Sequence, residues 1–163
     1  MTTTSIPTPG RASAIRELQA DRVIGIVGAL TVVIATGLAW YSGQITVTAG
    51  GLVDHATSGV SLWHVRSLAA SLITIAACAG IASLLLPIAM EWRGGIAAAV
   101  VGFGISVYSL VAIFDVPDLG SVALVGSRLA AVATTAVDVG PFVALLGGLL
   151  LLAGGTATSR RAP

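Results

Sequence analysis

GGIAAAVVGFGISVYSLVAIF, residues 94–114, is the stretch whose reading decides the fold. It carries no charge, and its apolar side chains run all round the helical wheel instead of along one stripe. At 1.5 Å of rise per residue, such a run crosses the roughly 30 Å hydrocarbon core of a bilayer. Lipid solvates apolar side chains from every direction but offers nothing to a backbone N–H or C=O, so a spanning segment of this kind must be a helix.

Immediately upstream, Glu91, Trp92 and Arg93 separate this run from a second one, Ser67 to Met90, and so short a break predicts a tight antiparallel helical hairpin. Two further runs, Val23 to Tyr41 and Gly140 to Ala157, complete four spans at about 23–41, 67–90, 94–114 and 140–157, none with a charge in its interior. The sequence therefore predicts an all-α integral membrane protein, with four transmembrane helices in an antiparallel bundle. Composition agrees: 56% of the chain is hydrophobic and 9% charged, against roughly 25% charged in a soluble domain, and mean hydropathy is +1.00. No basic stripe points to nucleic acid, and Cys78, the single cysteine, leaves no internal disulfide or thiolate cluster.

Orientation follows from the arginines. Arg11, Arg16, Arg22, Arg93, Arg160 and Arg161 fall on one side of the four spans, Arg66 and Arg128 on the other. The positive-inside rule makes the six-arginine side cytoplasmic, which predicts a multi-pass plasma-membrane protein with both termini inside. Residues 1–21, rich in Thr, Ser and Pro, read as a disordered cytoplasmic tail with room for a short amphipathic turn around Ala12 to Leu18; residues 158–163 read as a second tail. Trp40, Tyr41 and Trp63 are expected as anchors at the outer interface and Trp92 at the inner one.

Two outer segments form a small extracellular cap. Gln44 to Val53, with Ile45, Thr46, Val47 and Thr48 ahead of Gly50 and Gly51, reads as a strand and turn and suggests a short β-hairpin. Residues 116–139 place Val122, Val125, Leu129, Val132 and Ala136 at helical spacing, and fit an interfacial helix, an outward extension of the fourth span, or a strand beside the first loop.

Small residues at four-residue spacing mark helix-packing rows: Ala76 and Gly80, Ala98 and Gly102, and Gly140, Ala144 and Gly148. Pro87, with Ser83 a turn before it, is expected to kink the second span. His55, His64 and Asp54 lie outside without metal-binding spacing, and Asp115 and Asp118 bracket Pro117 as solvated charges ending a helix. The spans offer as polar groups only Thr31, Thr36, Ser71, Thr74, Ser83, Ser106, Ser109, Tyr108 and Cys78. Proton-coupled transport and intramembrane proteolysis need ionisable groups in that position, and no phosphate loop, zinc motif or nucleophile elbow is present on the cytoplasmic side.

The aromatic pair Trp40 and Tyr41 ending the first span, the strand Ile45 to Thr48, the central hairpin and the closing GPFVALLGGLLLLAGG at residues 140–155 together resemble the actinobacterial four-span membrane proteins typified by the tryptophan-operon-associated membrane protein family. The likeness covers most of residues 23–155; members often carry Trp in the last segment where this chain has Phe142. It implies the four-span topology and no catalytic residues. The function expected from all this is that of a non-enzymatic accessory or structural protein without cofactor or metal. It would pack against a membrane partner complex or copies of itself and present its outer loops for contact. The alternative is a small transporter or channel for an uncharged solute, its path lined by Ser and Thr. A third reading is an enzyme of the outer interface using Asp115, Asp118 and the histidines.

Overall fold

The computed structural model describes residues 9–49, 52–85, 91–116 and 129–161. In chain order they form α1 (Pro9–Gly37), β1 (Ala39–Ala49), β2 (Leu52–Ser61), α2 (Leu62–Val65), α3 (Ser67–Leu84), α4 (Glu91–Phe114), β3 (Leu129–Val137) and α5 (Val139–Arg161). Among the described residues, four helical stretches are long and apolar enough to cross a membrane: Gln19–Gly37, Ser67–Leu84, Trp92–Phe114 and Val139–Arg160.

The helix ends depart from expectation. Helix α1 begins at Pro9, so residues 9–21 are helical and not a disordered tail. Proline suits a first helical turn, and the Ala-, Arg-, Glu- and Leu-rich stretch that follows propagates it. The same helix stops at Gly37, and Trp40 and Tyr41 belong to β1. Helix α3 stops at Leu84 instead of Met90; the expected kink at Pro87 lies outside the described residues, and a proline there disfavours helical backbone just before it. Glu91, Trp92 and Arg93 form the first turn of α4 instead of the break between spans, and α5 runs on to Arg161 through the expected tail.

The helices close into a ring. Helix α5 packs most extensively against α4 and α1, and α3 closes the other side through lighter contacts with the same two helices. Along chain direction, α1 and α4 run one way and α3 and α5 the other, so every neighbouring pair is antiparallel. The centre is filled by Ala29, Val32, Ala98, Ile105 and Leu151, each almost wholly buried, while Leu30, Ile34, Leu72, Val100 and Leu146 point outward at half exposure or more, as lipid-facing positions do.

A three-stranded antiparallel sheet, order β2-β1-β3, sits at the end of the bundle where α1 finishes and α3 and α5 begin. The β1–β2 register runs from Ala39↔Ser61 to Ala49↔Leu52, a hairpin with two connecting residues, Gly50 and Gly51, which lie outside the described residues. Strand β3 lies on the other side of β1, from Tyr41↔Val137 to Ala49↔Leu129. Of the three readings of residues 116–139, the strand is the one found for residues 129–137; residues 117–128, with Val122 and Val125, lie outside the described residues. An alanine-rich segment tolerates helix or strand, and the open side of β1 supplies ladder partners that a lone surface helix would lack.

Candidate functional site

The seams around α5 are built from glycine pairs seven residues apart. Gly148 and Gly155 face α4, and Gly147 and Gly154 face α1. On α4, a Cβ at Gly102 would lie 2.7 Å from the Gly148 carbonyl oxygen and one at Gly95 2.7 Å from that of Gly155. On α1, a Cβ at Gly28 would lie 2.6 Å from the Gly147 carbonyl oxygen, and on α5 one at Gly154 would lie 2.5 Å from the Gly25 nitrogen. These seams are therefore backbone-to-backbone, and their cohesion is dispersion at close range.

Of the seven expected packing residues all but Ala76 are buried, and Gly102 and Gly148 meet across the α4–α5 seam. Gly80 admits the Leu151 side chain, 3.1 Å from where its own Cβ would stand. Gly140 packs against the Trp40 ring and the Ala39 carbonyl, a helix-on-strand contact instead of a helix-on-helix one. Ala76 is half-buried and lines a groove instead of a seam. The seam glycines Gly25, Gly28, Gly95, Gly147, Gly154 and Gly155 are additions, and the doubled glycines at 147–148 and 154–155 are the signal that a search at seven-residue spacing would have caught.

Trp40 and Tyr41 are 0% exposed and so are not interface anchors; Trp63 and Trp92 are about half-exposed. Neighbours on a strand ordinarily face opposite sides. The register of β1 against β2 slips between Ala39 and Tyr41, and the extra residue turns both rings toward the bundle. The Trp40 indole N–H donates to the Ala35 carbonyl at 2.7 Å, and the Trp40 carbonyl accepts from the Asp138 N–H at 2.9 Å. The Tyr41 hydroxyl donates to the Ala112 carbonyl at 3.3 Å, and burial raises its pKa above the ordinary phenol value, with Tyr108 and Asp115 adding to the rise against an opposing pull from Arg66.

Around these rings lies the polar cluster of the sheet end. Arg66, just ahead of α3, reaches Asp115, just after α4, through one nitrogen and one carboxylate oxygen 3.3 Å apart. Tyr108 packs its ring against Trp40, centroids 6.1 Å apart. Its hydroxyl is enclosed beside the Arg66 guanidinium, yet makes no hydrogen bond of good geometry. The guanidinium is held above its ordinary pKa by Tyr108 first and Asp115 second. Tyr108 stands apart from the other hydroxyls of the spans: Thr31, Thr36, Ser71, Thr74, Ser83, Ser106 and Ser109 each donate to a carbonyl three or four residues back on their own helix. Such bonds quiet a hydroxyl in an apolar medium.

Among the remaining candidates, His64 is exposed and contacts the Ser61 hydroxyl at 3.0 Å through Nδ1. His55 and Asp54 sit on β2 opposite Thr46 and Val47, Asp118 and Pro117 lie outside the described residues, and Cys78 is exposed on α3. Among the described residues, no three His, Cys, Asp or Glu side chains converge as a metal site would require. No family model, curated protein or solved structure matches the chain, so the likeness to the tryptophan-operon-associated membrane proteins lends no role to any residue.

Proposed function

We propose that this protein is a non-enzymatic accessory subunit of the plasma membrane, four spans deep with both termini in the cytoplasm, whose sheet recruits a membrane partner complex or a second copy of the chain. The observation that carries this reading is the sheet order β2-β1-β3: among the described residues, β2 and β3 each pair on one side only. An edge strand offers a row of unpaired N–H and C=O groups that a partner strand can extend. The edge is presented at a fixed angle, because Trp40 and Tyr41 root β1 in the bundle end. The solute-path alternative draws little support from the interior, where small and branched side chains fill the ring and the span hydroxyls bond to their own helices. The cytoplasmic reading of the end away from the sheet is supported by Arg22, Arg93 and Arg160, which stand there, through the positive-inside rule.

Affinity purification of the tagged full chain in a mild detergent, with mass spectrometry and particle sizing, tests the proposal. A defined larger particle that Ser58→Lys in β2 or Ala136→Lys in β3 dissociates is the expected outcome, since charge on an edge strand discourages further pairing. A monomer, or a complex indifferent to both edge variants, overturns it.

A further inference from the structure

Two apolar troughs run along α4, and Arg66 links their ends. One lies between α3 and α4, about 290 Å³, with Leu72, Ile73, Ala76, Val101, Gly104 and Tyr108 among its walls. Gly104 and Ala76 make the trough: a Cβ at Gly104 would meet nothing within 4 Å. The other, about 400 Å³, follows the neighbouring face of α4 through Val107, Leu110, Val111 and Phe114 and ends at Asp115. Tyr108 closes the first trough and Asp115 the second, and the Arg66 guanidinium stands beside the Tyr108 hydroxyl and 3.3 Å from the Asp115 carboxylate.

This arrangement has the pattern of a two-chain zwitterionic amphiphile. We propose that the troughs bind a phospholipid bearing a primary amine, one acyl chain in each, its phosphate on Arg66 and its ammonium on Asp115. The charges select the occupant. Arginine carries five donors and the Asp115 contact uses one of its nitrogens, so the guanidinium retains capacity for a phosphate, which it suits by geometry. Asp115, its side chain 68% exposed, repels a purely anionic headgroup and attracts an ammonium. A neutral two-chain lipid would fill the troughs and leave the polar cluster unchanged. The inference presupposes the four spans in a bilayer and is independent of any partner at the sheet.

The test is a titration of the purified full chain in mild detergent, read by native mass spectrometry, with dioleoyl phosphatidylethanolamine as the probe. Dioleoyl phosphatidylglycerol, dioleoylglycerol and the chain-free headgroup glycerophosphoethanolamine serve as competitors. The amine-bearing phospholipid is expected to bind about tenfold or more tightly than either other lipid, and the free headgroup not to compete. Arg66→Met and Asp115→Asn are each expected to weaken retention about tenfold. Gly104→Leu, which fills the first trough from an open position, is expected to weaken retention of the amine-bearing phospholipid about tenfold while helix content and elution stay as in the parent. Equal retention of the lipids, preference for the anionic one, competition by the free headgroup, or a Gly104→Leu protein that retains the amine-bearing phospholipid as well as the parent overturns the proposal, and does so even if Arg66→Met fails to fold.

Discussion

Gly102 on α4 and Gly148 on α5 stand opposite each other, each occupying the space in which the other's Cβ would lie: 2.7 Å from the Gly148 carbonyl oxygen in one case and 3.0 Å from that of Gly102 in the other. At Gly102 the obstructing atoms are all backbone and cannot swing aside; at Gly148 the Ser106 hydroxyl stands nearest, at 2.7 Å, with the backbone of Gly102 and Ser106 close behind it.

Gly102→Val and Gly148→Val are therefore expected to lower stability by about 1–3 kcal/mol each, the range for overpacking a filled interior. Gly104→Ala, two residues from Gly102 but facing open space, is expected to stay within about 0.5 kcal/mol of the parent. Unfolding in graded detergent mixtures, followed by circular dichroism, measures both. Equal losses at Gly102 and Gly104 would contradict the seam.

Trp40→Phe keeps an aromatic ring in the bundle end and removes the donor to the Ala35 carbonyl. A buried carbonyl losing its partner costs about 1–3 kcal/mol, and the same unfolding assay is expected to register a loss in that range. Trp63→Phe, at a half-exposed ring, is expected to be nearly silent.

Burial raises the pKa of Tyr41 in the folded state above its unfolded value near 10. The folded protein thus holds this proton more tightly. Its contribution to stability is intact below the unfolded pKa and is lost as pH rises toward and through the folded one. Thermal unfolding in detergent is expected to fall off above about pH 10 for the parent and to do so less steeply for Tyr41→Phe; parallel profiles would contradict the prediction.

The Arg66–Asp115 pair is half open to solvent, with side chains 36% and 68% exposed. A double-mutant cycle with Arg66→Met and Asp115→Asn is expected to give a coupling below about 1 kcal/mol. A coupling of several kcal/mol would make the pair a structural clamp.

The spans were legible because lipid acts on the composition of each run separately, and a charge-free stretch such as residues 94–114 declares itself without reference to the rest of the chain. Where helices stop is a different matter. Gly37 ends α1 because the next residues pair as strand, and that pairing depends on Val132 and its neighbours some eighty residues later. The β-branched run at Ile45 to Thr48 announced a strand, whereas Leu129 to Val137 carried a helical period that only a sheet partner could override. Trp40 followed the statistical rule for interface aromatics until a one-residue register slip turned it inward. Arg66 and Asp115, 49 residues apart, meet only through the fold, and Tyr108 is distinguished from the other span hydroxyls only by its surroundings.

The glycine seams also set an order of assembly. Both α1 and α4 find their closest backbone partner in α5, the last of the four to leave the ribosome, and β1 likewise waits for β3. Until then the emerging chain holds two smooth helical faces with only α3 loosely between them. Such distant pairings are slow to form and leave incomplete species open to wrong partners. Biogenesis thus becomes the vulnerable stage: a lesion in α5 would leave three helices unable to lock and available to quality-control proteases, however well each had formed.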